Sequence, residues 1–120
     1  MKDFRKLEVW EIAHQLALDV YRATAAFPKE ELYGLTMQMR RSGASIPTNI
    51  AEGCGRDGDA ELARFMHIAA GSASELEYQC LLARDLGFLE ATSHQQLEQQ
   101  VIRVKRMLTG FTQKLKADRR

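Results

Sequence analysis

The sequence predicts an all-α protein that folds as one domain over residues 1–120, an antiparallel up-down-up-down four-helix bundle. Apolar residues recur three and four residues apart along four long segments, which is the period of an amphipathic helix. Short connections between these segments favour antiparallel packing of consecutive helices. No segment shows the alternating apolar and polar residues of a strand. We expect the helices at residues 7–26, 29–52, 59–86 and 93–116.

A proline marks the boundary between the first two helices. Val9 and Leu16 belong to the buried face of the first helix, and the chain before Pro28 is pushed away from the helical region. A second proline, Pro47, lies inside the second helix, where its ring points toward the carbonyl of Gly43. Because a glycine there leaves the backbone room to adjust, we expect a kinked but continuous helix.

The third and fourth helices have clearer limits. Asp59 stands near the start of the third helix and Gly87 just past its end, which are common start and stop signals. The fourth helix has a coiled-coil-like seam with apolar residues in alternating steps of four and three. The seam consists of Leu97, Val101, Val104, Leu108, Phe111 and Leu115.

The composition, with 45% hydrophobic and 28% charged residues, is typical of a soluble globular protein. No apolar run approaches the ~20 residues of a membrane span, and residues 1–6 lack the apolar segment of a signal peptide. Cys54 and Cys80 have no paired spacing and are predicted to be reduced thiols. We therefore expect a cytoplasmic protein that does not bind membranes.

Charge is unevenly distributed although the net charge is only +1. Residues 57–90 contain seven acidic and two basic residues, a balance of −5. Residues 91–120 contain seven basic and two acidic residues, a balance of +5. Such asymmetry favours self-association or contact with a polyanion.

The glycines Gly53, Gly55 and Gly58 match the spacing of a dinucleotide-binding fingerprint, but that motif requires a strand before it and a helix after it. Here a helix precedes them, so we interpret them as a helix–helix connection. The three histidines have no neighbouring Cys or paired Glu at ligand spacing. We expect no metal, no cofactor and no enzymatic activity.

A polar stripe is predicted on the second helix, beside its apolar face, with a counterpart on the third helix. One interpretation is an interhelical network in which Arg41 or Arg56 pairs with Glu75 or Glu52. A groove for a phosphate or a partner's backbone, and plain solvated surface, are the alternatives. The residues are Gln38, Arg41, Ser45, Asn49, Glu52, Arg56 and Glu75.

The fourth helix offers the candidate nucleic-acid-binding surface, with a solvated basic face as the bland alternative. Its predicted contact residues are Arg103, Lys105, Arg106, Lys114 and Lys116, and Arg119 and Arg120 extend the charge into a frayed tail. Because aromatic residues are absent from this face, recognition of structured RNA or a duplex fits better than base stacking.

Apolar residues exceed what the seam of one bundle needs, and the excess either thickens the core or forms an interface between subunits. The candidate interface residues are Trp10, Tyr21, Ile68, Tyr78 and Leu82.

Several motifs resemble those of a bacterial family known as four helix bundle proteins, which are encoded in 23S rRNA intervening sequences. The family is related to accessory variability determinant proteins of diversity-generating retroelements. The resemblance covers Phe4 to about Leu108. It rests on Phe4-x-x-Leu7-x-Val9-Trp10, Tyr33-Gly34-Leu35-Thr36, Arg40-Arg41, Ser45-Ile46-Pro47, Asn49-Ile50-Ala51-Glu52-Gly53 and Ile68-Ala69-x-Gly71-Ser72.

This resemblance implies a non-enzymatic homo-oligomer, a pentameric ring of bundles, that binds RNA or a nucleic-acid enzyme such as a reverse transcriptase. Together with the basic fourth helix, it predicts an oligomeric adaptor that contacts RNA or DNA phosphates through surfaces repeated round the ring. The alternative is a protein-interaction module that binds a reverse transcriptase or a ribosomal component without touching nucleic acid.

Overall fold

A computed structural model describes residues 2–118 of the chain. It confirms the predicted all-α four-helix bundle, with no strand among these residues. The bundle is an elongated rod of 49 × 22 × 20 Å. Its helices are α1 (Glu8–Thr24), α2 (Met37–Cys54), α3 (Asp59–Asp85) and α4 (Ala91–Asp118).

The helices pack in a closed cycle in which α1 contacts α2 and α4, and α3 contacts α2 and α4. Two hydrogen-bonded pairs show that α2 and α3 are antiparallel. Ser42 is bonded to Glu75 and Ser45 to Ser72, so the residue number falls along α3 as it rises along α2. One cluster of buried side chains fills the centre, and it includes residues from all four helices.

The start of the second helix differs from the prediction of 29–52, because regular α2 begins only at Met37. A 3-10 turn at Lys29–Glu31 and a π-helical turn at Leu32–Thr36 come before it. Gly34 leaves the helical region, with φ −110° and ψ −115°, and the Glu31 carboxylate accepts a hydrogen bond of 3.2 Å from Leu35 N. This side-chain bond replaces a bond of the regular helical ladder, which explains the late start.

Pro47 lies inside α2 and the helix continues through it, as predicted. Proline removes one backbone donor, and polar side chains bond to carbonyls in the same turn. Thr48 Oγ1 donates to Ala44 O at 2.7 Å, and Asn49 Nδ2 donates to Ser45 O at 2.8 Å.

The connection between α2 and α3 depends on two glycines. A Cβ atom on Gly53 would lie 2.8 Å from Phe65 Cβ, so α2 and α3 approach too closely there for any side chain. Gly58 has φ +86°, a conformation that glycine adopts without strain. These constraints agree with a helix–helix connection rather than a dinucleotide-binding loop.

The remaining helix ends lie within two residues of the predicted limits. α1 ends at Thr24, whose hydroxyl donates to Val20 O at 2.8 Å, and α4 extends beyond both limits of 93–116. Within the described part of the chain, no helix is both long and apolar enough to cross a bilayer.

Candidate nucleic-acid interface

The predicted basic residues of α4 form what we call the α4 basic surface: Arg103, Lys105, Arg106, Lys114 and Lys116. No Asp or Glu occurs in the sequence from Gln99 to Ala117, so this helix supplies no counter-charge of its own along the surface. Acidic partners can come only from neighbouring helices.

Two of these cations do have acidic partners on adjacent helices. Lys105 Nζ lies 2.9 Å from Glu77 Oε1 of α3, and both side chains are partly buried. Arg103 Nη2 lies 3.6 Å from Glu8 Oε1 of α1, and both of these side chains are largely exposed. Exposed pairs stabilise a fold by only ~0–1 kcal/mol, so Arg103 remains easily available to another anion.

The other three cations, Arg106, Lys114 and Lys116, are exposed. Among residues 2–118 none of them has a carboxylate within ion-pair distance. Arg106 also borders a shallow hollow of about 420 Å³ on α4. The rest of its lining is Ile102, Lys105, Thr109, Gly110 and Gln113. Arg119 and Arg120, predicted to extend the charge, lie outside the described residues.

The predicted polar stripe is brought together only in part. Ser45 Oγ lies 2.8 Å from Ser72 Oγ, and Glu75 Oε1 accepts a hydrogen bond of 2.7 Å from Ser42 Oγ, so these contacts join α2 to α3. Asn49 Nδ2 donates to Ser45 Oγ at 2.9 Å. Sequence reasoning missed Ser42 because its apolar-looking, buried position gave no sign of an acceptor on another helix.

The charged residues of the stripe do not cross between helices. Arg56 pairs with Glu52 at 3.1 Å within one segment of chain, and Glu75 receives its bond from a serine rather than from Arg41. Gln38 and Arg41 are exposed. The α2–α3 contact is therefore a short chain of hydroxyl bonds beside a solvated charged surface.

The candidate interface residues lie on two different helices. Trp10 and Tyr21 lie on α1 and border a groove between α1 and α2. Ile68 and Tyr78 lie on α3, where 41% and 61% of their surfaces are exposed, whereas Leu82 is packed partly against the core. The five residues therefore do not form one continuous patch.

The cysteines and histidines offer no reactive or metal-binding group. Cys54 and Cys80 are free and buried. Burial raises the pKa of the Cys80 thiol to about 12, and the carboxylates of Glu77 and Glu98 act in the same direction. Burial also raises the pKa of Cys54. The part of the chain from residue 2 to 118 contains no cluster of His, Cys, Asp and Glu that could hold a metal ion.

The antiparallel bundle and its uneven charge define a class of small all-α proteins whose working parts are surfaces rather than a central cavity. Within that class, the chain belongs to the family described as 23S rRNA-intervening sequence protein, whose sequence pattern it matches over residues 5–110. This confirms the family resemblance found in the sequence.

One solved structure with the same fold is a protein of unknown function from the S23 ribosomal protein family of Bacteroides thetaiotaomicron. The two chains superpose with a TM-score of 0.78 at 20% sequence identity, covering 87% of this chain and 97% of the other. At that identity the likeness extends to the fold alone. No functionally curated protein matches the chain significantly.

Proposed function

We propose that the protein is a non-catalytic, oligomeric adaptor that binds structured RNA through the α4 basic surface. The observation that carries this proposal is the acid-free stretch from Gln99 to Ala117, which leaves Arg106, Lys114 and Lys116 without a carboxylate partner among residues 2–118. Unpaired surface cations are the groups that exchange bound counter-ions for phosphates. The family description, which places its members in 23S rRNA intervening sequences, favours RNA as the polyanion.

The hollow on α4 supports phosphate contacts rather than base stacking. Thr109 and Gln113 add hydrogen-bond donors beside Arg106, and Gly110 leaves the backbone uncovered. Phe111, the nearby aromatic residue, is packed partly against the core and presents no free ring for a base. Recognition by shape and charge is the mode that such a surface supports.

Self-association is part of the proposal, with the exposed apolar residues of α3 as the contact. Ile68, Tyr78 and Leu81 are exposed on this helix by 41%, 61% and 36%. A homopentamer, the assembly that the family resemblance implies, would repeat the α4 basic surface five times and multiply its affinity for one RNA. Tyr78→Glu should lower the native mass, and an unchanged mass would remove Tyr78 from the contact.

The test is a salt titration of binding to a hairpin RNA and to a duplex DNA of equal length. The variant Arg106→Gln/Lys114→Gln/Lys116→Gln removes the unpaired cations. The control Arg22→Gln/Arg64→Gln/Arg84→Gln makes the same change in net charge, but its arginines lie on α1 and α3 and already have carboxylate partners.

We expect wild type and the control to bind RNA with an affinity that falls steeply with salt, and the α4 variant to lose most of it. Equal losses in both triple variants would mean that only net charge matters. Absence of binding to either nucleic acid at low salt would refute the proposal.

A further inference from the structure

We propose that the groove between α1 and α2 binds a helix of a different protein, one with an apolar face and acidic residues at one end that pair with Arg40 and Arg41. This surface is separate from the α4 basic surface. The proposal therefore adds a second binding site and does not depend on RNA binding.

The groove is apolar and has small residues in its floor. Its volume is about 460 Å³, with Trp10 and Tyr21 on one side and Pro47 on the other. The Trp10 ring is stacked on His14 with a centroid distance of 5.0 Å, and Phe4 packs edge-on against Trp10 at 4.9 Å. Ala17, Ala44 and Ala51 also line it, so a third helix can approach both backbones closely.

A second cavity of about 280 Å³ adjoins the groove, since Tyr21 lines both. Its apolar walls include Leu32 and Met37, which are 47% and 46% exposed. Arg40 and Arg41 complete the lining and make this end of the groove cationic.

Arg40 is held in place by neutral groups. Its Nε donates to Thr24 Oγ1 at 2.9 Å, its Nη2 donates to Tyr21 O at 3.3 Å, and its guanidinium lies 4.9 Å from the centre of the Tyr21 ring. None of these partners carries a negative charge. Because the guanidinium is already oriented, an incoming carboxylate would lose little side-chain entropy on pairing with it.

The absence of a counter-charge sets this pair of arginines apart. Six arginines among residues 2–118 have a carboxylate at 2.9 to 3.6 Å, whereas Arg40 and Arg41 have none. Glu31, the acidic residue closest to them in sequence, accepts a hydrogen bond from Leu35 N instead. The six paired residues are Arg5, Arg22, Arg56, Arg64, Arg84 and Arg103.

The length of the groove suits a helix. Met37 and Ala51 mark its ends on α2, and at 1.5 Å per residue they are about 21 Å apart, or about four helical turns. A helix with apolar residues three and four positions apart would fill the groove along this length. A nucleic acid fits less well because cations flank only one end and the rest is apolar.

The exposed surfaces of this chain do not supply such a helix. The outer face of α4 is basic and would be repelled by Arg40 and Arg41. On α3, Gly71, Ser72 and Glu75 separate Ile68 from Tyr78, so no continuous apolar ridge spans four turns. The occupant is therefore a different polypeptide, with acidic residues that complement the arginine pair.

Trp10, the single tryptophan of the chain, reports directly on the groove through its fluorescence. The probe is a synthetic helical peptide with leucines three and four residues apart on one face and two glutamates at one end of that face. The matched control peptide has glutamines in place of the glutamates. Peptide affinity is measured from Trp10 emission in wild type, Arg41→Gln, Arg40→Lys and the control variant Arg84→Gln.

We expect the glutamate peptide to bind wild type and Arg84→Gln about tenfold more tightly than the glutamine peptide, as two partly exposed charge pairs would give. In Arg41→Gln, whose substituted side chain is exposed and does not support the fold, that preference should fall to a few-fold. Arg40→Lys keeps the charge but loses the fixed geometry, so it should also reduce the preference.

Three results would overturn the proposal: unchanged Trp10 emission with both peptides, equal affinity for the two peptides, or displacement of the peptide by a short single-stranded RNA. A second variant, Leu18→Glu, tests whether a copy of the same chain occupies the groove. It should block peptide binding without changing the native mass. A fall in native mass would make the groove a contact between copies and refute a foreign occupant.

Discussion

Lys105 Nζ lies 2.9 Å from Glu77 Oε1, so one of the five predicted nucleic-acid contacts is already tied to α3. One turn away the neighbouring Arg106 has no carboxylate partner within residues 2–118. The two cations are adjacent in sequence, yet only one is free to meet a phosphate without breaking an existing pair.

This difference predicts unequal effects on RNA binding. Arg106→Gln should weaken hairpin RNA binding and reduce the slope of log affinity against log salt by about 0.7–0.9, the value of one phosphate contact. Lys105→Gln should change that slope less, because its charge is offset by Glu77. A larger effect of Lys105→Gln would assign the phosphate contact to the wrong side of α4.

Two glycines in helices predict opposite changes in stability. Gly53→Ala places a Cβ 2.8 Å from Phe65 Cβ and should lower the free energy of unfolding by about 1–3 kcal/mol. Gly71 on α3 faces open space, so Gly71→Ala should raise it by about 0.5–1 kcal/mol. Urea unfolding of both variants measures this, and a neutral Gly53→Ala would contradict the close approach of α2 and α3.

The Ser42–Glu75 hydrogen bond should contribute measurably to the α2–α3 contact. Ser42 is buried and donates at 2.7 Å, so Ser42→Ala should cost about 1 kcal/mol in unfolding free energy. Thr48→Ala on the same helix removes an exposed hydroxyl that bonds only to its own helix, and it should be near neutral. Equal effects of the two changes would show that the bond to Glu75 adds nothing.

Cys80 predicts a specific loss of stability at alkaline pH. Burial raises its thiol pKa from 9.0 to about 12. Above pH 9 the unfolded chain releases this proton while the folded chain keeps it, so deprotonation favours unfolding. Relative to Cys80→Ala, wild type should lose up to about 1.4 kcal/mol of stability per pH unit between pH 9 and 12.

Chemical denaturation of both proteins across that range isolates the thiol, because lysines and tyrosines titrate in both. A constant difference between wild type and Cys80→Ala would mean that the folded thiol titrates as an unfolded one does.

Helix existence and most helix limits could be predicted from the sequence because they depend on local periodicity. The third helix was expected at 59–86 and is Asp59–Asp85. The start of α2 could not be predicted, because it depends on the Glu31 carboxylate binding Leu35 N and on the conformation of Gly34. Those are choices between two local arrangements that apolar spacing does not distinguish.

The surfaces were predictable only as sets of residue types. The sequence placed basic residues on the fourth helix, but whether a cation is free depends on acids such as Glu8 and Glu77 from other helices. Arg40 and Ser42 were missed for the same reason, since their partners are 16 and 33 residues away. A motif lists residues, and the pairing of charges requires the fold.

The opposite charges of residues 57–90 and 91–120 have a consequence for how the protein behaves in solution. With a net charge of only +1, copies repel one another weakly at long range, while acidic and basic sides attract when they meet. Dissolved ions screen that attraction within about 10 Å at 0.1 M salt. The protein should therefore be least soluble in dilute buffer and dissolve more readily as salt is added.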